Sequence, residues 1–423
     1  MMKLSLNLNR IFSPIAVAWG RTPLVWLWRK PRTKFEFIRQ IESRNFMPNW
    51  RSEALLMASL LLYFPMLVLW PFRAMIIAVM EFRLHASETR RLYGNSYVGQ
   101  LVDLLSIGFR YWANPETYYL FKIYKNRDIS NAKYFLLENS MTSLLRYVNG
   151  TKCDRHIQDK FLFNKRMREK GYPVINDIGV VTQGRLTSPK GSELDLPCCD
   201  FIAKPNLGLE GRGLTRFDWL TNGRYCSSED KCYSAVNLAA HLKELSMHEA
   251  YLVQPRLENH PDITDLSNGG FCTSRIITAA TPAGNVEVIV AVFKMPTGTK
   301  VADNFGAGGI ASSIDLQTGE LGAACYKHRL LLELDKHPDT GVTIVGRKLP
   351  YWSQTLDLVR KAHLDVEGDF GFLGWDVGVT ESGPVIVEAQ VTFGFILCQR
   401  PGRFALGSSR FVEIYSQWAD NVR

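Results

Sequence analysis

The feature that most limits the fold is a change of pattern near residue 174 of this 423-residue chain. Before it, from Tyr97 to Asn149, apolar residues recur at spacings of three and four, which predicts helices. After it, short runs rich in β-branched residues lie between glycine and proline turns, which predicts strands. Helical patterns return at about 234–247 and 353–366. We therefore expect an α+β protein with antiparallel strand pairs.

Positive charge is concentrated at the N-terminus. The chain has a net charge of +9, and its first sixty residues hold ten Lys or Arg against three Glu. These sixty residues therefore account for +7, and the remaining 363 residues are close to neutral at +2. A nucleic-acid-binding protein more often carries basic residues on its folded body, so we expect no nucleic-acid partner. A basic head beside an apolar run favours a membrane surface.

That apolar run covers residues 54–80. Residues 54–72 form a run of 19 residues without a charge. This length is close to the roughly 20 residues that cross a bilayer. Pro65 and Pro71 each remove a helix hydrogen bond and favour a kink. A weaker apolar stretch lies at 11–28. Two interpretations stay open: contact with the membrane through a hairpin or an interfacial helix, and a helix buried against the main domain.

The cysteines indicate a reducing compartment. Eight are scattered along the chain without a C-x-x-C pair or a short disulfide framework. Cys226 and Cys232 are close in sequence but have no His nearby. We expect them, like the others, to be buried or half-exposed thiols rather than metal ligands.

Two motifs place lysines at the ends of predicted elements. Asp159 can open a helix, which puts Lys160 at the helix start, where a phosphate is favoured. In FIAKPNLGLEGRG (201–213), a strand ends at Lys204 and a glycine-rich loop follows. The glycines of this loop are Gly208, Gly211 and Gly213. Glycines let backbone N–H groups close over phosphate oxygens, and a lysine supplies a point charge.

A predicted hairpin carries oxygen ligands. In LGWDVGVTESGPVIVEAQV (373–391), two β runs flank a turn, so Asp376 and Glu388 can meet across the hairpin. Gln390 is two residues beyond Glu388 and therefore faces the same side. Two carboxylates and an amide oxygen suit Mg²⁺, and a cation would offset the cost of carboxylates inside apolar strands.

Further polar residues interrupt apolar strands. Arg275 and Lys294 lie within such strands, which predicts a charged ligand or a buried acid partner. Asn304 follows Asp303 in a glycine-rich loop. The strand at 251–258 can offer backbone groups to an adenine edge.

Taken in this order, the motifs resemble the ATP-grasp superfamily over roughly residues 155–420. The stretches KHPDTGVTIVGRKLPYW and DNFGAGGIASSIDLQTGEL are similar to its sugar-transfer-associated group, which is related to α-L-glutamate ligases. The resemblance implies two α+β subdomains that sandwich ATP. Together with the patterns above, it predicts a basic and apolar N-terminal region at 1–96 with membrane contact at 54–80, a helical connector at 97–154 and an ATP-grasp catalytic domain at 155–423, with its lid subdomain at about 175–255.

The resemblance also implies roles for individual residues. Lys160 and Lys204 would hold the ATP phosphates, the loop with Gly208, Gly211 and Gly213 would form the lid, and Gln254 to Leu257 would contact adenine. Asp376, Glu388 and Gln390 would bind Mg²⁺, although the family usually has Asn where this chain has Gln390. Arg275 and Asn304 would lie near the transferred phosphate and the acceptor carboxylate.

The implied activity is a Mg²⁺- and ATP-dependent carboxylate–amine ligase that works through an acylphosphate. Its substrates would be small-molecule or glycan-linked carboxylates and amines, in surface polysaccharide synthesis. Because ATP is cytoplasmic, we expect the catalytic domain at the cytoplasmic face of the membrane, with glycosyltransferases as further partners. Two alternatives stay open: a small-molecule or sugar kinase on the same fold, and a nucleotide-binding membrane scaffold without catalysis.

Overall fold

The computed structural model describes residues 53–150, 154–208, 213–228, 231–298, 301 and 303–421. The chain divides into two compact units. The first unit contains the described residues up to Val148 and from Gly394 onward, and the second unit runs from Asn149 to Phe393. The predicted catalytic domain at 155–423 differs from the second unit mainly in its last thirty residues, which belong to the first.

The helices and strands are numbered here in chain order. The helices are α1 (Glu53–Tyr93), α2 (Tyr97–Phe109), α3 (Thr117–Leu120), α4 (Glu138–Asn149), α5 (Asp154–Gln158), α6 (Lys160–Glu169), α7 (Ala235–Leu245), α8 (Trp352–Asp365), α9 (Phe395–Gln399) and α10 (Arg410–Asn421). The strands are β1 (Gly179–Thr182), β2 (Arg185–Thr187), β3 (Phe201–Pro205), β4 (Thr215–Leu220), β5 (Arg224–Ser227), β6 (Cys232–Ser234), β7 (Tyr251–Pro255), β8 (Thr273–Ala280), β9 (Val286–Met295), β10 (Ile310–Ile314), β11 (Leu321–Tyr326), β12 (Glu333–Leu334), β13 (Phe372–Thr380) and β14 (Gly383–Gln390).

The first unit is built around the long helix α1. This helix continues for 41 residues through both Pro65 and Pro71, where the sequence favoured kinks. Within the part of the chain that the structure describes, no helix combines the length and apolar character that crossing a bilayer requires. Contact of 54–80 with a membrane therefore stays a prediction.

The second unit contains two antiparallel sheets of seven strands each. The first sheet has the strand order β2-β1-β7-β3-β4-β5-β6, and the second sheet has the order β12-β11-β10-β9-β8-β13-β14. Neighbouring strands in both sheets pair antiparallel. The prediction of an α+β fold with antiparallel pairs is confirmed.

Each sheet packs one apolar face against a helix. In the first sheet, Phe201, Ala203 and Val253 form a core with Leu238 and Leu242 of α7. The second sheet buries a larger set against α8, including Ile276, Phe293, Trp375, Leu356 and Val359. The two helices cover the predicted helical stretches at 234–247 and 353–366. Because side chains alternate along a strand, the residues between these core positions point to the other face of each sheet.

Cys226 and Cys232 are joined by a disulfide, so the expectation that both are thiols is wrong. They are directly opposite each other on the paired strands β5 and β6, with Cα atoms 4.0 Å apart. The sequence spacing alone did not reveal this pairing because the hairpin was not predicted. Among the described residues, Cys198, Cys199, Cys272, Cys325 and Cys398 are not joined in disulfides.

Candidate active site

The candidate site lies on the face of the second sheet that points away from its core. Strand register places Arg275 opposite Asp376 and Asp376 opposite Glu388. Gln390 is two residues beyond Glu388, and Lys294 pairs with Thr273, two residues before Arg275. All these side chains therefore share one face, because the side-chain period of a strand is two.

A buried charge cluster occupies the centre of this face. The Arg275 Nε donates to Asp376 Oδ1 at 2.6 Å, and its Nη2 donates to Oδ2 at 3.0 Å. The Lys294 Nζ donates to the same Oδ2 at 3.0 Å and to Asp303 Oδ1 at 3.2 Å. The Thr273 hydroxyl donates to the other Asp303 oxygen. Two cations and two carboxylates thus compensate one another away from water.

Electrostatics in this cluster follow from those contacts. Burial alone would raise the pKa of Asp376, but the Arg275 guanidinium and the Lys294 ammonium outweigh it and hold that pKa well below its ordinary value. Burial likewise opposes the charge on Lys294, whereas Asp303 and Asp376 outweigh it and raise the lysine's pKa. Burial raises the pKa of Asp303 against the attraction of Lys294, so the two cations are arranged around Asp376, whose carboxylate is the one held ionised.

The predicted Mg²⁺ ligands are brought together by the β13–β14 hairpin. Asp376 and Glu388 are register partners, and the Gln390 Nε2 donates to Glu388 Oε1 at 2.7 Å. In the described residues Glu388 has no ion-pair partner, whereas both Asp376 oxygens accept hydrogen bonds from cations. No group of three or more Asp, Glu, His or Cys side chains suited to a metal occurs in those residues. Two carboxylates with one amide still form a donor set of hard oxygens, which fits Mg²⁺ in kind.

Lys204 approaches this face from the first sheet. It lies on β3 and is buried, and the described residues offer its ammonium no hydrogen-bond or ion-pair partner. Burial lowers its pKa to about 8 although Glu388, Asp177 and Asp376 oppose the shift, and the nearby Lys160 charge is already part of that lowering. A buried ammonium without a partner is costly, so an anionic ligand would stabilise this arrangement.

Lys160 lies at the start of α6, as predicted. Asp159 is the N-cap residue, and its carboxylate accepts a hydrogen bond from Leu162 N at 2.9 Å. The Lys160 Nζ donates to the backbone carbonyls of Asn206 and Gly208. Burial lowers the pKa of Lys160, against the attraction of Glu388 and other carboxylates. Lys160 therefore fixes the described start of the glycine-rich loop, from Asn206 to Gly208.

The loop after β3 is held by close contacts. The Asn206 side chain accepts a hydrogen bond from Phe161 N at 2.9 Å, which ties the loop to the start of α6. Gly213 has φ +73°, and a Cβ there would lie 2.9 Å from Pro205 Cγ. A Cβ on Gly208 would lie 2.8 Å from Pro205 Cβ. Gly211 falls outside the described residues.

The side chain of Gln254 is part of a buried network of hydrogen bonds. Its Nε2 donates to Asp177 Oδ1 at 2.8 Å, and the same carboxylate accepts hydrogen bonds from Asn164 at 2.9 Å and Arg168 at 3.3 Å. Only backbone groups near Gln254 are then left for an adenine edge. Leu257 is half-buried just beyond the end of β7.

Asn304 directly follows Asp303 of the buried cluster. Its side-chain oxygen accepts a hydrogen bond from Gly306 N at 2.7 Å, which caps the short 3₁₀ helix Phe305–Ala307. The neighbouring Asp303 makes the link to Lys294. The role of Asn304 near an acceptor carboxylate stays a prediction.

Sequence reasoning missed three residues that organise the site: Thr273, Asp177 and Asn206. Asp177 lies between the apolar residues Ile175 and Ile178, so an acid within an apolar stretch was a signal that could have been followed. Thr273 and Asn206 gave no comparable signal, because their partners are far away in sequence.

The second unit thus places Lys204, Lys160 and the carboxylates of Asp376 and Glu388 near one another, as expected for the nucleotide site that the sequence predicts. The family described as sugar-transfer associated ATP-grasp matches residues 139–409, more than half of the sequence, and the chain belongs to this family. ATP and Mg²⁺ are the standard cofactors of ATP-grasp enzymes, so the prediction of these two cofactors is confirmed at the level of the family.

Solved structures with similarity to this chain have low scores. The ADP complex of N5-carboxyaminoimidazole ribonucleotide synthetase has 10% identity and a TM-score of 0.36, over 67% of this chain and 54% of that one. An L-amino acid ligase from Bacillus licheniformis has 14% identity and a TM-score of 0.34, over 63% and 48%. D-cycloserine synthetase has 12% identity and a TM-score of 0.33, over 74% and 82%. The chain spans about half the length of the first two, and a comparison with curated proteins found no match.

Proposed function

We propose that this protein is a carboxylate–amine ligase that uses ATP and Mg²⁺. The observation that carries the proposal is the pair of Asp376 and Glu388 on one sheet facing the unpaired Lys204 ammonium of the other. Carboxylates on one side and cations on the other are what a triphosphate with its metal needs.

The proposed reaction has two steps. A carboxylate oxygen of the substrate attacks the γ-phosphorus, the bond to the β-phosphate oxygen breaks, and ADP leaves. The amine of the second substrate then attacks the acyl carbon, a C–N bond forms, phosphate leaves with the C–O bond pair, and the amine loses a proton. Asp376, Glu388 and Gln390 would hold Mg²⁺, which supplies charge neutralisation for phosphoryl transfer.

The chain's own residues would then position and neutralise the phosphoryl group. Lys204 and Lys160 are cations near Glu388, and each is partly dehydrated, which strengthens its attraction for an anion. Arg275 and Lys294 are fixed by Asp376 and Asp303, so they need no reorganisation to stabilise developing charge.

The family description supports a proposal for the substrate class. We propose that the substrates are carboxylates and amines that belong to an amino sugar, a uronate or an amino acid of a surface glycan. The catalytic part of the protein would lie on the cytoplasmic side of the membrane, where ATP is available. Glycosyltransferases would be the natural partners of such an enzyme. The description of the family as sugar-transfer associated supports this part.

The test is ADP release by the purified full chain with a panel of uronates and amino acids, with hydroxylamine added in parallel. A hydroxamate product is the expected result, because hydroxylamine captures an acylphosphate. A stable phosphorylated product without hydroxamate would favour a kinase instead. Absence of ADP release and of any thermal stabilisation by Mg²⁺ with ATP would overturn the proposal in favour of a scaffold.

A matched pair of variants tests whether ADP release depends on the candidate active site. Glu388→Gln removes one predicted ligand charge from a residue without an ion pair, so the buried cluster is preserved, and ADP release should fall at least about 100-fold. Asp369→Asn makes a comparable change at an exposed position and should leave ADP release unchanged. Equal activity of the two variants would contradict the site.

A further inference from the structure

The first unit exposes apolar side chains in an unusual concentration. Of the 21 large hydrophobic residues that are exposed in the described chain, twelve lie between Leu69 and Phe109. The other nine are scattered over the second unit. Contiguous exposed apolar surface of this kind marks an interaction site, whereas single exposed residues do not.

These residues lie on two neighbouring helices. Trp70, Ala74 and Ala78 form the buried side of α1, and the Trp70 Nε1 donates to the Gly108 carbonyl of α2 at 3.1 Å. At the other end Gln100 donates to the Ala86 carbonyl, so the helices run antiparallel side by side. Their remaining sides are directed outward.

The outward side of each helix is apolar over three turns. On α1 it is formed by Leu69, Phe72, Met75, Ile76, Val79 and Met80. On α2, Val98, Val102 and Phe109 are exposed, and the only charged residue of this helix, Asp103, is buried and paired with Arg127. We call these nine residues the α1–α2 face.

Charge around the α1–α2 face indicates its occupant. Exposed arginines follow it on both helices, at Arg83, Arg90 and Arg91 of α1 and at Arg110 beyond α2. The 52 residues before α1 hold ten Lys or Arg and two Glu, and they join the helix directly at its first residue. An apolar helix face bordered by arginines and attached to a basic arm complements an anionic lipid surface. Two copies of such a surface would bring like charges together, which disfavours self-association.

We propose that the α1–α2 face docks onto the surface of an anionic lipid bilayer. The sequence predicted membrane contact only for 54–80 and assigned 97–154 to a connector. The structure places α2 beside α1, so α2 supplies part of the lipid-binding surface. This inference does not depend on the proposed ligase reaction, because none of its residues belongs to the candidate active site.

The experiment is vesicle flotation of the full chain. Vesicles of phosphatidylcholine with phosphatidylserine should carry the protein upward, and vesicles of phosphatidylcholine alone should carry much less. The variant V98E/V102E places two charges on the α2 part of the face and should reduce binding to anionic vesicles about tenfold or more. I76E/M80E should do the same from α1.

Val236→Glu is the matched control. Val236 is 78% exposed and Val98 is 75% exposed, but Val236 lies on α7 of the second unit. The control should float like the parent protein. All variants should keep the parent's thermal unfolding and its ADP release, which separates lost docking from lost folding and from a wrong ligase assignment.

Two results would overturn the proposal. One is a parent protein that does not float with anionic vesicles, or a V98E/V102E variant that floats as well as the control. The other is a parent that forms a dimer without vesicles and becomes a monomer in V98E/V102E, since the face would then bind a second copy.

Discussion

Lys204 gives the sharpest prediction, because its free ammonium has no partner in the described residues. Burial lowers its pKa to about 8 in the protein without nucleotide. A bound phosphate would favour the charged form and raise that pKa again. Binding of ATP in the presence of Mg²⁺ should therefore take up a proton at Lys204.

The size of the uptake follows from the pKa. With a pKa near 8, the free lysine lacks its proton in about one molecule in ten at pH 7, about half at pH 8 and about nine in ten at pH 9. Uptake should thus rise from about 0.1 to about 0.9 protons per ATP over this range. Above pH 8 the affinity should fall about tenfold per pH unit, since each unit costs about 1.4 kcal/mol.

Calorimetry in buffers of different ionisation enthalpy measures this uptake directly. The Lys204→Met variant should lose most of it, and Lys165→Met, an exposed lysine on α6, should keep it. Lys160 also has a lowered pKa, so a small remainder is expected. Equal uptake at pH 8 in the parent and in Lys204→Met would refute the assignment.

Stability supplies an independent check on the same residue. Below pH 8 the lysine is charged in both folded and unfolded chains, and its burial costs on the order of 3 kcal/mol. From pH 8 to about 10.5 only the unfolded chain keeps the proton, so the free energy of unfolding rises with pH. Lys204→Met should accordingly stabilise the second unit most below pH 8, and a loss of stability there would contradict the reasoning.

Three further predictions follow from other parts of the structure. Lys294→Met leaves Asp303 without its cation and should lower the free energy of unfolding of the second unit by about 3–5 kcal/mol in chemical denaturation, with Lys165→Met as the neutral control. Burial and then Glu116 raise the pKa of Glu81 to about 7, so stability of the first unit should fall as pH rises from about 4.5 to 7. The Glu81→Gln variant should not show that fall, and its free energy of unfolding at pH 8 should exceed the parent's by about 1–2 kcal/mol after allowance for solvent screening. Thermal unfolding measured across this pH range tests both expectations. Gln390→Asn should leave ATP turnover equal or higher, and a collapse of turnover would contradict the metal assignment.

Local patterns predicted the parts of the site that depend on neighbouring residues. The pairing of Asp376 with Glu388 needs a register shift between Asp376 and Val377 that no pattern showed, but the hairpin itself follows from a turn and an alternation of side chains, both visible in sequence. The same is true of Asp159 at the N-cap of α6. Each of these features is settled within about fifteen residues of chain.

Local patterns could not predict the contacts between residues that are far apart in sequence. Arg275 and Asp376 are 101 residues apart, and only the register of β8 against β13 places them together. Gln254 was expected to contact adenine, yet its side chain binds Asp177, 77 residues away. The return of α9 and α10 to the first unit also depends on packing that no local signal encodes.

The charge cluster explains how a site for a highly charged ligand can remain folded before that ligand arrives. Arg275 and Lys294 would be costly if buried alone, and Asp376 and Asp303 compensate them at hydrogen-bond distance. Within the described residues Lys204 has no acid at hydrogen-bond distance, and burial lowers its pKa although Glu388 and other carboxylates oppose that shift. The site therefore contains two kinds of cation: a pair held charged by buried acids, and a lysine whose charge depends on pH and on an arriving anion. Removing Asp303 should disturb the first kind without changing proton uptake at the second, because Asp303 is not among the charges that affect Lys204.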